Sequence, residues 1–165
     1  MSPLLTVRLY GDPCLRQKAK PVLDVGPSER MLLEAMIETM HAQKGIGLAA
    51  PQVGILKRIF VVDIGQGPLV FINPKILKKQ GVGEFEEGCL SIPHVNIIVK
   101  RAVKILVKYT DEHNKIQERN FEELLARVIL HEYDHLNGKL IVDYATKQEL
   151  VQYEKQLADL KKENK

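Results

Sequence analysis

The chain has no tryptophan, two cysteines, and aromatic residues at only 5% of its 165 positions. Cys14 and Cys89 are too few for a disulfide framework, so a reducing cytoplasm is the expected compartment and each thiol needs another explanation. No apolar run approaches the length of a membrane span. The first residues, Met1 to Arg8, lack the charged region and long apolar core of a secretory leader. Net charge is +3 with acidic and basic residues interleaved, which excludes a nucleic-acid footprint on charge alone. There is no repeat, low-complexity segment or linker. What is present, 45% hydrophobic and 27% charged residues, is the composition of an ordinary globular protein, and residues 1–165 read as one domain.

The informative stretch is His131-Glu132-Tyr133-Asp134-His135, at the end of a helix-patterned run. Asn120 and Glu123 form a capping pair at the start of that run, and Gly138 supplies a left-handed stop. Phe121, Leu124, Leu125 and Val128 fall on one stripe at helical spacing. Continued, the stripe takes in His131, Glu132 and His135, while Tyr133 and Asp134 point away. Two imidazoles and a carboxylate on a face meant for burial are costly unless each has a partner. A divalent metal on both histidines, with Glu132 facing its water, removes that cost. A lone buried histidine is ordinarily a core residue, but the paired spacing on this helix favours the metal.

Residues 1–26 read as an extended arm with a turn at Gly11-Asp12-Pro13, and Cys14 as a packing residue. A helix follows from Pro27 to about Lys44, with Leu32, Leu33, Met36, Ile37 and Met40 on its core face and Gly45 as its stop. Gly45 to Gly54 is dense in small residues that permit close backbone approach, and Gln52 is its one amide side chain. Strands are expected at Ile59–Ile64, Val70–Asn73, Val95–Val99 and Ala102–Tyr109, with a hairpin turn at Asp111–Asn114 and a solvated His113. Leu140–Val142 reads as a brief strand. Thr146 and Glu149 cap a terminal helix carrying Leu150, Tyr153, Leu157 and Leu160 on one edge and fraying over 161–165.

A catalytic metal needs a third protein ligand and an open position. Cys89 is preferred because a thiolate binds such metals more tightly than a carboxylate. Glu84, Glu86, Glu87, His41, His94 and His113 stay open as alternatives, whereas Asp134 leaves its helix on the wrong side.

Gly45-Ile-Gly-Leu-Ala-Ala-Pro-Gln52, Glu87-Gly-Cys-Leu-Ser91 and His131-Glu-Tyr-Asp-His135 together resemble, in order and rough spacing, the three motifs of peptide deformylases. These enzymes remove the formyl group from the initiator methionine of new proteins. The resemblance runs from the turn at Gly11 to the terminal helix. It implies Cys89, His131 and His135 as ligands of one divalent ion, ferrous iron first, with zinc, nickel or cobalt able to replace it. It implies Glu132 as general acid and base, with Gln52 and the Leu90 N–H binding the oxyanion. Ile46, Gly47, Glu87, Gly88, Leu124 and Val128 are the expected substrate-binding residues, with Ile46, Leu124 and Val128 forming the pocket for methionine. The implied partner is a formyl-Met nascent peptide. The terminal helix is then a candidate dock on the ribosome, although its five lysines against four acids over 146–165 read first as a solvated face. His94, Asn96 and Leu130 depart from the usual family pattern, at positions that concern the substrate groove and helix packing.

The expected fold is α+β, with a central metal-binding helix against small antiparallel sheets, one helix near the N-terminus and one at the C-terminus. Two other functions compete. A zinc peptidase would need a further His or Glu downstream, and no His follows His135. A non-catalytic metal module would need four protein ligands and would have no use for Glu132.

Overall fold

A computed structural model of the chain describes residues 3–163. Extended chain and a short turn at Pro13–Arg16 lead into helix α1, Pro27–Ala42. Then come strands β1, Gly47–Ala49; β2, Ile59–Val62; β3, Leu69–Gln80; β4, Gly83–Cys89; β5, Ile92–Arg101; β6, Lys104–Thr110; and β7, Ile116–Glu122. Helix α2, Glu123–Leu136, follows, and α3, Lys147–Gln152, with α4, Glu154–Glu163, closes the described chain. The architecture is α+β, as expected. A five-stranded antiparallel sheet has the order β1-β2-β3-β6-β7, while β4 and β5 form a separate two-stranded ribbon. Among the described residues no helix is long and apolar enough to cross a membrane.

Burial follows strand alternation. In β6, Ile105, Val107 and Tyr109 point inward, and in β5 Val95, Ile97 and Val99 do. The inner face of the large sheet is an aromatic platform: Phe71 stacks on Phe60 at 4.8 Å, meets Tyr109 at 4.4 Å and Phe121 at 5.5 Å. Helix α2 lies in the same core, with Ala126, Ile129, Leu130 and Leu136 buried. Each large apolar side chain so buried contributes about 1.5–3 kcal/mol. Leu130, one of the departures from the family pattern, is thus a core residue. Helix α1 covers the opposite side of β1 and β2 through Leu33, Met36 and Met40. Leu157 and Leu160 of α4 pack with the inward face of β5.

Several boundaries differ from expectation. Asn120 is not the cap of α2, because its backbone belongs to β7 and pairs with Leu106. The chain passes from strand to helix at Glu123, whose φ is +57° and whose N–H donates to the Val103 carbonyl. The stop of α1 is Lys44, with φ +58°, rather than Gly45. Leu140–Val142 is not a strand: Ile141–Tyr144 is a single tight turn, since no neighbouring strand among the described residues offers it a ladder. The terminal helix is broken at Tyr153, and Leu150 is left 40% exposed instead of packed. Helix is assigned through Glu163, and Asn164 and Lys165, the end of the segment expected to fray, lie outside the described residues. Gly138 does end α2 in the left-handed region, at φ +73°. The turn at Asp111–Asn114 closes as expected, with His113 exposed.

Candidate metal centre

Helical spacing stacks His131 and His135 one turn apart, with ring centroids 5.1 Å apart. The ribbon brings Cys89, the last residue of β4, to the same point. One ligand atom from each of Cys89, His131 and His135 lies within 4.8 Å of the others, and Cys89 Sγ is 3.4 Å from His135 Nε2. That spacing suits donors sharing a tetrahedral ion with bonds of about 2.0–2.3 Å. Among the described residues the group has three members, so a tetrahedral ion held by them would keep a fourth position for solvent. Of the other candidates, Glu86 and Glu87 line the same cleft but fall outside the group. His41 pairs with Asp63, Glu84 with Lys100, and Asp134 accepts from Arg101 and Tyr144.

Both charge signs gather at the centre, so its titrating groups are strongly shifted. Burial works against a charged His131, yet Glu132, Cys89 and Glu87 around it hold its imidazole well above the usual range. Burial, helped by His131 and Arg101, holds His135 well below it. Burial also lifts Glu132 to about 7, the range in which a carboxylate can both take and return a proton. Glu132 Oε1 is buried without a hydrogen-bond partner, an orphan that a water on the open metal position would satisfy. A divalent ion therefore fits these residues.

Gln52 sits in a tight turn, Ala50–Val53, and is 1% exposed. The Ala49 N–H donates to its Oε1 at 2.9 Å, which leaves the Nε2 end as the donor. Nε2 reaches Ser91 Oγ at 3.1 Å and lies 3.6 Å from Cys89 Sγ. A cleft of about 450 Å³ opens over the centre. Ile46 and Gly47 line one side, Gly88 and Leu90 another, and Leu124 and Val128 the helix wall. Ile46 and Leu124 are about half exposed, while Val128 is buried. His135 lies beneath this lining. Strand β1 is the last strand of its sheet, so one of its edges has no strand beside it among the described residues.

Two features were not visible in the sequence. Gly45 and Gly47 do not serve only an incoming ligand. A methyl group on Gly45 would meet Leu90 Cδ1 at 2.7 Å, and one on Gly47 would collide with the Glu132 carboxylate. Glu87, expected among the substrate-binding residues, lines the cleft but directs its carboxylate inward. His131 Nδ1 lies 2.9 Å from Glu87 Oε1, while Arg101 donates to both Glu87 oxygens and Arg127 to Oε2 at 2.6 Å. Burial alone would raise the Glu87 carboxyl, but His131 and Arg101 bring it down to about 2. With Nδ1 held by Glu87, His131 turns Nε2 toward the centre. His94 has φ +65°, in the left-handed region that glycine adopts more readily than a residue with a side chain.

Comparison with known proteins agrees with this geometry. The family model for polypeptide deformylase matches residues 4–151. The peptide deformylase of Clostridium botulinum (strain Alaska E43 / Type E3) is 51% identical over 144 residues, 87% of this chain and 98% of its own. The crystal structure of peptide deformylase from Thermus thermophilus superposes with a TM-score of 0.93 at 40% identity, covering 98% of this chain and 100% of that one. The enzyme from Synechococcus elongatus, solved in complex with actinonin, gives a TM-score of 0.90 at 43% identity, covering 94% of this chain and 87% of that one. By its family pattern, its fold and the meeting of Cys89, His131 and His135, this chain belongs to the polypeptide deformylase family.

Proposed function

We propose that residues 1–165 act as one catalytic domain that hydrolyses the N-formyl group of the initiator methionine in nascent polypeptides, releasing formate. The observation that carries this reading is the meeting of Cys89, His131 and His135 beneath a cleft, beside a buried carboxylate oxygen without a partner. Bound to those three residues, a divalent ion would supply a water acidic enough to become a nucleophile near neutral pH. Ferrous iron is the ion we assign, on the sequence resemblance, with zinc, nickel or cobalt able to occupy the same donors.

The chain's own residues do the rest. Glu132 takes the proton of the attacking water and delivers it to the leaving amine. Gln52 Nε2 and the Leu90 N–H donate to the formyl oxygen as negative charge develops there, and one such donor is typically worth about a hundredfold or more in rate. Ile46, Leu124 and Val128 receive the methionine side chain. Gly47 and Gly88 lie along the peptide backbone, which adds to the open edge of β1 as an extra strand. Glu87 contributes by holding His131 rather than by touching peptide. A nascent-chain substrate implies a cytoplasmic location, and docking on the ribosome would use the outer face of α4.

Anaerobically purified protein should release formate from a formyl-Met peptide, and Glu132→Ala should stop turnover with the metal still bound. A metal-loaded wild type that leaves the formyl group in place would refute the reading. Cleavage of unformylated peptides would point instead to a peptidase.

A further inference from the structure

The three proposed ligands come from two bodies that share no ladder. Cys89 belongs to the β4-β5 ribbon, the histidines to α2, and the ribbon does not pair with the five-stranded sheet. Something other than sheet pairing must therefore set the distance from thiolate to imidazoles before a metal arrives.

We propose that Arg127 is the brace that sets it, a positioning residue whose guanidinium clamps the ribbon to the helix carrying His131 and His135. This inference rests on the metal reading above. Arg127 precedes His131 by one helical turn. Its Nη2 donates to the Gly83 carbonyl at 2.8 Å, at the far end of β4 from Cys89. Its Nη1 donates to the Val99 carbonyl at 3.0 Å on β5 and to Glu87 Oε2 at 2.6 Å, two residues before Cys89. One planar group thus grips both strands of the ribbon, and Phe85 of β4 lies over it with the ring centroid 5.1 Å from the guanidinium carbon.

Charge balance alone does not account for this arginine. Arg101 already donates to both oxygens of Glu87 from the same ribbon, and it reaches α2 through Asp134, which Tyr144 also holds. What Arg127 adds is two bonds to neutral carbonyls. Those bonds do not neutralise anything; they fix position. A forked guanidinium can make all three at once, whereas an ammonium offers the same charge without that planar geometry. The brace is nearly closed to solvent, its side chain being 11% exposed.

The experiment compares wild type, Arg127→Met and Arg127→Lys as metal-free proteins and after titration with cobalt(II). Chelator competition gives the affinity, the thiolate-to-cobalt absorption band reports Cys89 ligation, and amide exchange in the metal-free proteins follows the ribbon. Arg127→Met should weaken cobalt binding about ten- to hundredfold, shift or diminish the thiolate band, and speed exchange of the ribbon amides over 83–101. Arg127→Lys, which keeps the charge and protects the fold, should recover only part of each. Wild-type affinity and ribbon protection in a folded Arg127→Met protein would overturn the brace, as would full recovery by Arg127→Lys, which would assign the effect to charge. A wild type without a thiolate-to-cobalt band would instead overturn the metal reading on which the brace depends.

Discussion

Gly47 and Glu132 touch so closely that a β-carbon on Gly47 would lie 2.9 Å from the Glu132 carboxylate carbon. Gly47 opens β1 and Glu132 lies toward the C-terminal end of α2, so the edge strand and the helix fix the carboxylate between them. Gly47→Ala should therefore behave as a displaced-Glu132 enzyme. The backbone of Gly47 is not in the left-handed region, so alanine is tolerated there by conformation and objectionable only by contact. Loss of a positioned acid–base group costs about 10²–10⁴-fold in rate, and a fall in kcat of that order with retained metal is expected. Steady-state kinetics together with metal analysis would check it, and a variant of normal kcat would show that Glu132 has room to move.

The two thiols should differ in reactivity. Burial and then Asp12 push Cys14 up to about 12, and its Sγ–H donates to the Pro51 carbonyl at 3.3 Å. At pH 8 its thiolate fraction is then on the order of 10⁻⁴. Cys89 lines the cleft. Iodoacetamide should label Cys89 in chelator-treated protein and neither cysteine when metal is bound. Peptide mapping by mass spectrometry reads this directly, and prior labelling of Cys14 would contradict it.

Glu29 gives α1 a pH-dependent anchor. Lys57 donates to it at 2.9 Å, the Gly26 N–H at 3.0 Å and the Ser28 hydroxyl at 2.9 Å, and these bonds, Lys57 first, bring its carboxyl down to about 2. A lowered folded-state value means stability that is complete above the ordinary carboxylate range, near 4.5, and is lost as pH falls through about 2. Metal-free Glu29→Gln should melt below metal-free wild type at pH 7, with the gap narrowing below pH 4.5 and closing near 2. An equal gap at both ends of that range would show that charge is not the cause.

Much of the site is readable locally because its chemistry repeats at helical spacing. His131, Glu132 and His135 share the face predicted from Val128, and the greater affinity of such metals for a thiolate than for a carboxylate marks Cys89. What the sequence conceals is non-local. Asn120 and Glu123 form a good local cap, but pairing of Asn120 with Leu106 keeps that backbone in a strand. Gly45 and Gly47 read as room for a ligand until Leu90 and Glu132 arrive from distant parts of the chain. Glu87 reads as a cleft residue, and only the approach of Arg101, Arg127 and His131 shows its carboxylate turned inward. Strand β3 extends through Lys75 to Gln80, longer than its apolar run, because β6 supplies a partner for residues whose side chains, apart from Ile76, remain outside the core.

Gly138 separates two reasons for needing glycine. Its φ is +73°, and a β-carbon there would lie 2.5 Å from the Arg16 carbonyl oxygen and 2.8 Å from the carbonyl carbon. The surrounding contacts leave little slack. The N-terminal arm is tied to the end of α2 by the Ala19 N–H and Arg58 Nη1, which both donate to the Leu136 carbonyl, at 2.9 and 3.0 Å. Arg16 itself is held by Asp143 at 2.7 Å. The left-handed conformation alone costs alanine about 1–2 kcal/mol, and the collision adds to it. Gly138→Ala should thus lose about 2–4 kcal/mol in urea unfolding, beyond what conformation alone explains. Gly138→Asn discriminates between the two causes, because asparagine adopts this conformation more readily but carries the same β-carbon. If contact with Arg16 dominates, Asn should be nearly as damaging as Ala. If conformation dominates, Asn should restore most of the loss.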